Sequence, residues 1–286
     1  MKPLLIPNDW KTIFYLYYFK RYDENTRLKG LDIMSKKDLV RKHFSENKNA
    51  YITSSTHGNK KDLLSLMNLL QFESEMVALD IATGGGHVAK HLSNYVDHVI
   101  ATDLTEAMLE NTAKHLAEYD NIEFIVADAE NLPFATEQFD IITCRIAAHH
   151  FPNPTKFIQE VTRTLKVGGQ FLLIDNIGHE NKAYDTFVHT LEKMRDSSHV
   201  RSLKVSEWKD ILEKSGLTIT QDFSRKKQLP FTEWVERTVK EREKITTIEN
   251  FILHTDQAIK RYYEVIEVNG QIQSFAIDEW VAVIKK

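Results

Sequence analysis

The chain lacks the residues that mark several protein classes. Its 286 residues hold one cysteine, Cys144, so no internal disulfide can form and nothing calls for an oxidising compartment; a cytoplasmic protein is expected. With 10 glycines and 6 prolines it is neither collagen-like nor low-complexity. No apolar run approaches the ~20 residues that span a bilayer. The longest membrane-like stretch, IFYLYYF from Ile13 to Phe19, is flanked by Lys11 and Lys20-Arg21. Pro3 and Pro7 interrupt the apolar start and no small-residue cleavage site follows Phe19, so no signal peptide is expected. Excess positive charge is missing too. Lys+Arg number 37 against 41 Asp+Glu, a net charge of −4 with the acids spread along the chain, which argues against nucleic acid as a partner.

What is present is ordinary globular composition, 42% apolar and 27% charged. At about 150 residues per domain, the length suits two domains or one enlarged α/β domain. Residues 1–33 stand apart, an aromatic cluster followed by KRYDENTRLKG, and are expected to be an N-terminal appendage. Met34 opens MSKKDLVRKHF, where Leu39, Val40 and Phe44 recur at helical spacing, so the functional domain is placed at 34–286.

From residue 60 short β-branched runs alternate with amphipathic stretches. KKDLLSLMNLL (60–70) reads as a helix. MVALDI (76–81), HVIAT (98–102), IEFIVAD (122–128), FDIITC (139–144) and FLLID (171–175) read as strands. The helices HVAKHL, TEAMLENTAKHLAEY and PTKFIQEVTRTLK lie between them, the last capped by Asn153-Pro154 and stopped by Gly168-Gly169. This βαβ rhythm predicts a parallel sheet. Ser206 is expected to cap EWKDILEKSG before a strand LTITQDF (217–223). Residues 231–266 read as helical, Asn269-Gly270 as a tight turn, and AIDEWVAVIKK (276–286) as a closing strand. Insertions at about 178–205 and 225–268 are expected to form a helical lid over the strand ends, where open α/β sheets bind ligands.

The strongest local signal is LDIATGGGHVAKHL (79–92): Asp80 at a strand end, a turn through Gly84, Gly85 and Gly86, then a helix. Missing β-carbons let a ligand approach the backbone, and a helix N-terminus offers N–H donors. Gly84-x-Gly86-x-x-Ala89 also fits the degenerate dinucleotide fingerprint, so this turn alone does not separate nicotinamide from other adenosine cofactors. Asp103 ends the second strand, where a carboxylate can accept from both ribose hydroxyls of either cofactor. Asp128 ends the third, where it could accept from an adenine amino group, which a nicotinamide fingerprint does not demand.

The series LDIATGGG, VIATD, ADAENLPF, FDIITCRIAAHHF and LKVGGQFLLID resembles that of the class I S-adenosylmethionine-dependent methyltransferases, over about residues 38–223. Within them it most resembles the small-molecule group that includes the ubiquinone/menaquinone-biosynthesis enzymes. The resemblance implies a Rossmann-like, seven-stranded, mostly parallel sheet with helices on both faces and an antiparallel final strand. It implies S-adenosyl-L-methionine as cofactor, held at its methionine end by Asp80 and the backbone of Ala82, Gly84 and Gly86. Asp103 would hold the ribose, with Leu104 beside it in the cofactor set, and Asp128 with the Ala129 amide the adenine. Arg145 would lie near the methionine end. Family members commonly carry Gly where this chain has Ala82, a change expected to narrow the pocket.

A sulfonium methyl is already electrophilic, so the protein must mainly align a nucleophile and exclude water, with a base needed only for a protonated nucleophile. His149 and His150, directly after the fourth strand, are the candidates. Arg195, His199 and Arg201 could pair with an anionic or phenolic acceptor. By family analogy Tyr51 and His57 fold over the cofactor. His87 and His91 share a helix face without a third ligand in suitable context, so no metal is expected, and Cys144 reads as a core residue. The expected partner is a small-molecule methyl acceptor, with self-association left open. The alternatives are an NAD(P)-dependent oxidoreductase, disfavoured by the absence of a Tyr-x-x-x-Lys site, and a non-catalytic binding protein of the same fold that docks through IFYLYYF.

Overall fold

The computed structural model describes residues 35–52 and 59–286, the side chains of 50–52 excepted. The appendage expected over 1–33, the Tyr51 side chain and His57 fall outside these described residues. Helix α1 (Lys36–Ile52) and α2 (Lys60–Met67) precede the alternation β1 (Val77–Ile81), α3 (His87–Leu92), β2 (His98–Asp103), α4 (Glu106–His115), β3 (Ile122–Val126) and β4 (Phe139–Arg145). Then follow α5 (Pro154–Thr164), β5 (Leu165–Asn176), α6 (Lys182–Arg195), α7 (Val205–Lys214) and β6 (Thr218–Pro230). Three short helices, α8 (Phe231–Glu236), α9 (Arg242–Leu253) and α10 (Gln257–Tyr262), lead to the hairpin β7 (Ile266–Val268) and β8 (Gln271–Lys285).

The sheet runs β3-β2-β1-β4-β5-β8-β6, with β7 paired to β8 off that path. Strands β1 to β5 are mutually parallel, and β8 is antiparallel to both β5 and β6. Side chains alternate between two apolar layers, as the period of two requires. Leu79, Ile142, Cys144, Leu173 and Trp280 pack with Phe157 and Val161 of α5 and Trp208 and Leu212 of α7. Ala78, Ile141, Leu172, Val281 and Val283 pack on the other face with Leu63, Leu66 and Met67 of α2 and Val88 and Leu92 of α3. Helices therefore cover both faces, and the central strands are apolar throughout because neither face meets water. Strand order reverses between β1 and β4, and the crevice beyond their carboxyl ends is where such a sheet binds ligands. No helix among the described residues is long and apolar enough to cross a membrane.

The structure corrects several local expectations. Among the described residues the sheet has eight strands rather than seven, because Asn269 and Gly270 adopt φ of 52° and 74° and turn the short β7 back on β8. Strand β6 does not stop at 223 but continues through SRKKQLP, which the sequence placed in the lid. Its charges find opposite partners across the ladder, Arg225 facing Glu279 and Lys226 facing Asp278. Strand β5 begins at Leu165, which pairs with Phe139 ahead of a register shift. The helical stretch 231–266 is divided, since the Asp256 carboxylate accepts from Ala258 N–H at 2.7 Å and starts a new helix. Ser206 is not the cap of its helix: α7 starts at Val205, and Glu207 accepts from Lys204 N–H at 2.9 Å.

Candidate active site

Strand β1 leads into a turn that only an unusual backbone can make, with Ala82, Gly84 and Gly86 at φ of 53°, 52° and 74°. At Gly84 an added Cβ would meet nothing within 4 Å, so this residue opens toward the cleft. At Gly86 it would lie 2.6 Å from both Leu116 and Thr112, so close packing of α3 on α4 demands the bare backbone. Thr112 Oγ1 donates to the Gly84 carbonyl at 2.6 Å and ties the turn to α4.

Three carboxylates end the three adjacent strands beside this turn. Asp80 is buried, and its two oxygens accept from Thr83 Oγ1 at 2.6 Å and Thr143 Oγ1 at 2.7 Å. Burial nevertheless dominates and pushes its carboxyl up to about 6. Asp103 accepts from Gly84 N–H at 3.2 Å and Thr105 N–H at 2.9 Å, and burial raises its carboxyl against those donors. Asp128 accepts from Glu130 N–H at 3.0 Å and pairs with Lys37 Nζ at 2.6 Å; Lys37 also reaches Glu130 at 2.7 Å. Lys37, Val40 and Phe44 of α1 join these residues around a cleft enclosing about 990 Å³, its mouth included. Leu104, Ala129 and Arg145 line it as well. Arg145 Nη2 donates to Asp62 at 3.2 Å, and Arg225 reaches the other oxygen of Asp62 at 2.5 Å.

A second, smaller chamber of about 470 Å³ shares Phe44, Ile146 and His150 with this cleft. Ile146 has φ of 55°, a strained conformation for a β-branched residue, at the junction of the two spaces. His149 lines the second chamber, its Nδ1 2.6 Å from Asp175 Oδ1. That bond places the proton on Nδ1 and leaves Nε2 as the acceptor. Burial is the largest single influence and disfavours the charged ring, but Asp175, joined by Glu192 and Asp196, raises the imidazole above its ordinary value.

His150 behaves oppositely. Burial and the neighbouring His149 hold it well below its ordinary value, so it stays neutral. Ser198 Oγ gives its proton to Asp196 at 2.5 Å, so His150 Nδ1, 3.2 Å away, donates to the hydroxyl oxygen. Burial also depresses His199, whose ring centre is 5.5 Å from that of His149.

The structure thus brings Asp80, Ala82, Gly84, Asp103, Leu104, Asp128, Ala129, Arg145 and His150 onto one cleft, and His149 and Arg195 onto the adjoining chamber. Gly86 shapes the turn from behind. His199 is buried and lines neither space, and Arg201 pairs with Glu207 at 2.8 Å on the exposed rim. Sequence reasoning missed Lys37, Phe44, Asp175 and Lys227. Asp175 carried a signal, since it ends a strand beside the one that delivers His149.

A methyltransferase-domain family profile matches residues 79–173. YcgJ of Bacillus subtilis (strain 168), named as an uncharacterized methyltransferase, is 36% identical over 240 residues, 82% of this chain and 94% of its own length. The crystal structure of YcgJ superposes with a TM-score of 0.76 at 33% identity, covering 79% of this chain and 98% of that one. UbiE of Rickettsia prowazekii (strain Madrid E), a ubiquinone/menaquinone biosynthesis C-methyltransferase, is 30% identical over 169 residues, 54% of this chain and 67% of its own. Haemonchus contortus phosphoethanolamine N-methyltransferase 2, solved with S-adenosyl-L-methionine, shares the fold alone, at TM-score 0.58 and 19% identity over 89% of this chain and 60% of that one. Nothing in these relatives favours a nicotinamide enzyme.

Proposed function

The chain belongs to the class I S-adenosylmethionine-dependent methyltransferases, and from that premise we propose that its cleft holds the methyl donor, its second chamber a small protic acceptor, and that His149 takes the acceptor's proton. The residues present suit the donor. Gly84 leaves room for backbone contact, and Asp80, Asp103 and Asp128 end three successive sheet strands along the cleft. In this reading Asp103 accepts from ribose hydroxyls and Asp128 with the Ala129 N–H meets the adenine edge. Asp80, beside the Gly84 turn, offers the methionine ammonium a negative partner, with Arg145 near the carboxylate. When bound, S-adenosylmethionine would supply an electrophilic methyl on a sulfonium, with a neutral thioether as the leaving group.

The chain's own part is orientation and proton removal. Phe44, Ile146 and His150 line both spaces and form the wall across which the acceptor is aligned. Alignment of this kind supplies several kcal/mol, roughly 7–11 at its limit. His149 Nε2 receives the proton while Asp175 holds the ring in the right tautomer and stabilises the imidazolium. Such a base serves a hydroxyl that itself attacks and equally a phenol whose ring carbon attacks after losing its proton.

The observation that carries this reading is the buried 2.6 Å His149–Asp175 bond in a chamber that shares a wall with the cleft. It is tested with methyl-labelled S-adenosylmethionine and a cell extract separated into small-molecule and macromolecular fractions. Label should enter the small-molecule fraction. It should be lost with Asp103→Ala and slowed about 10²–10⁴-fold with His149→Gln. Label in RNA or protein, or an unchanged rate for His149→Gln, contradicts the proposal.

A further inference from the structure

We propose that the acceptor is a small organic anion whose carboxylate or phosphate seats against Lys227, Arg195 and Arg237 in the second chamber. The proposal rests on reading that chamber as the acceptor site. The three cations come from separate parts of the chain, β6, the end of α6 and the residue after α8, yet all line one space of about 470 Å³. Among the described residues one carboxylate, Glu192, lines it with them.

Each cation is already anchored. Arg195 Nη2 donates to Glu192 at 2.9 Å, and its guanidinium lies 5.0 Å from the Trp234 ring centre. Lys227 Nζ donates to Glu279 at 3.0 Å, and Arg237 is likewise held within the protein. Glu279 is shared: Arg225 donates to it through Nε at 2.7 Å and Nη2 at 2.5 Å. Arg225 has Asp62 as a further partner, so Glu279 remains available to Lys227, and three cations line the chamber against one lining carboxylate. Each of these cations is already held by the protein, so an entering anion would meet donors that are oriented for charge-assisted contact. The rest of the wall includes Phe44, Leu229, Trp234 and Ile277, which suits an apolar or aromatic body attached to the anion.

The experiment uses the full chain saturated with S-adenosylhomocysteine and calorimetric titration of matched pairs. The pairs are 4-hydroxybenzoate with its methyl ester, indole-3-acetate with its amide, and phenyl phosphate with phenol. At least one acid should bind ~10-fold more tightly than its neutral partner, the scale of one charge-assisted contact. The pair that shows the preference distinguishes carboxylate from phosphate. Arg237→Gln and Lys227→Met should each bring the ratio near one without changing S-adenosylhomocysteine affinity, and Lys227→Arg should retain it. An acid that binds no better than its neutral partner in every pair, or a preference that survives both charge removals, overturns the proposal. Failure of the wild type to bind S-adenosylhomocysteine would instead strike the methyl-transfer reading beneath it.

Discussion

Asp80→Asn tests whether this protein has given up stability to hold a charge beside its glycine turn. Burial raises the Asp80 carboxyl from 3.8 to about 6 even though two threonine hydroxyls donate to it. A shift of about two units corresponds to ~3 kcal/mol between the charged and neutral forms. The sign follows from linkage: the folded state binds this proton more tightly than the unfolded chain. Folding therefore loses stability as pH rises from about 4 to about 6 and carries the full penalty above that. Asparagine removes the charge and keeps the shape. One threonine can still donate to its oxygen and the other can accept from its amide, at a cost of ~1 kcal/mol for imperfect geometry. The variant should then be about 2 kcal/mol more stable than wild type at pH 7.5, with the gap closing or reversing at pH 4. Urea melts at both pH values read the difference. His43, His149, His150 and His199 titrate in both proteins, so their contributions cancel in the comparison. The same variant should bind S-adenosylhomocysteine more weakly, having lost the negative partner of its ammonium. A stability gap that does not change with pH refutes the reasoning.

The turn itself makes two opposite predictions. Gly86→Ala combines a left-handed φ of 74° with a Cβ 2.6 Å from Thr112 and Leu116, and should destabilise the fold by about 2–4 kcal/mol in urea melts. Ala82→Gly relieves a left-handed alanine at φ of 53° and should stabilise by roughly 0.5–1 kcal/mol after the entropy of the freer unfolded chain is subtracted; a loss of stability would show that Ala82 is not strained.

Much of the architecture could be read in the sequence because it is written in local pattern. Strands β1 to β4 are short apolar runs, and Asn153 caps α5 by accepting from Lys156 N–H at 3.0 Å. The positions of Asp80, Asp103 and Asp128 followed from strand ends, and all three line the cleft. What was hidden depends on partners far away in sequence. The run SRKK looks like a solvated loop until Glu279 and Asp278 on β8 pair with it. Lys37 lies 91 residues from Asp128, and no spacing rule links them. His149 and His150 are chemically alike in the sequence, and only Asp175 beside one and a neutralising burial around the other distinguish the proposed base from its neighbour.

The central claim is that the Gly84 turn and the strand-end carboxylates hold an adenosyl cofactor. Calorimetric titration of the full chain with S-adenosylhomocysteine tests it most directly. Wild type should bind saturably, and Asp103→Ala, which removes the proposed acceptor for both ribose hydroxyls, should weaken binding about 10–100-fold. No binding by wild type, or undiminished binding by a folded Asp103→Ala variant, would contradict it.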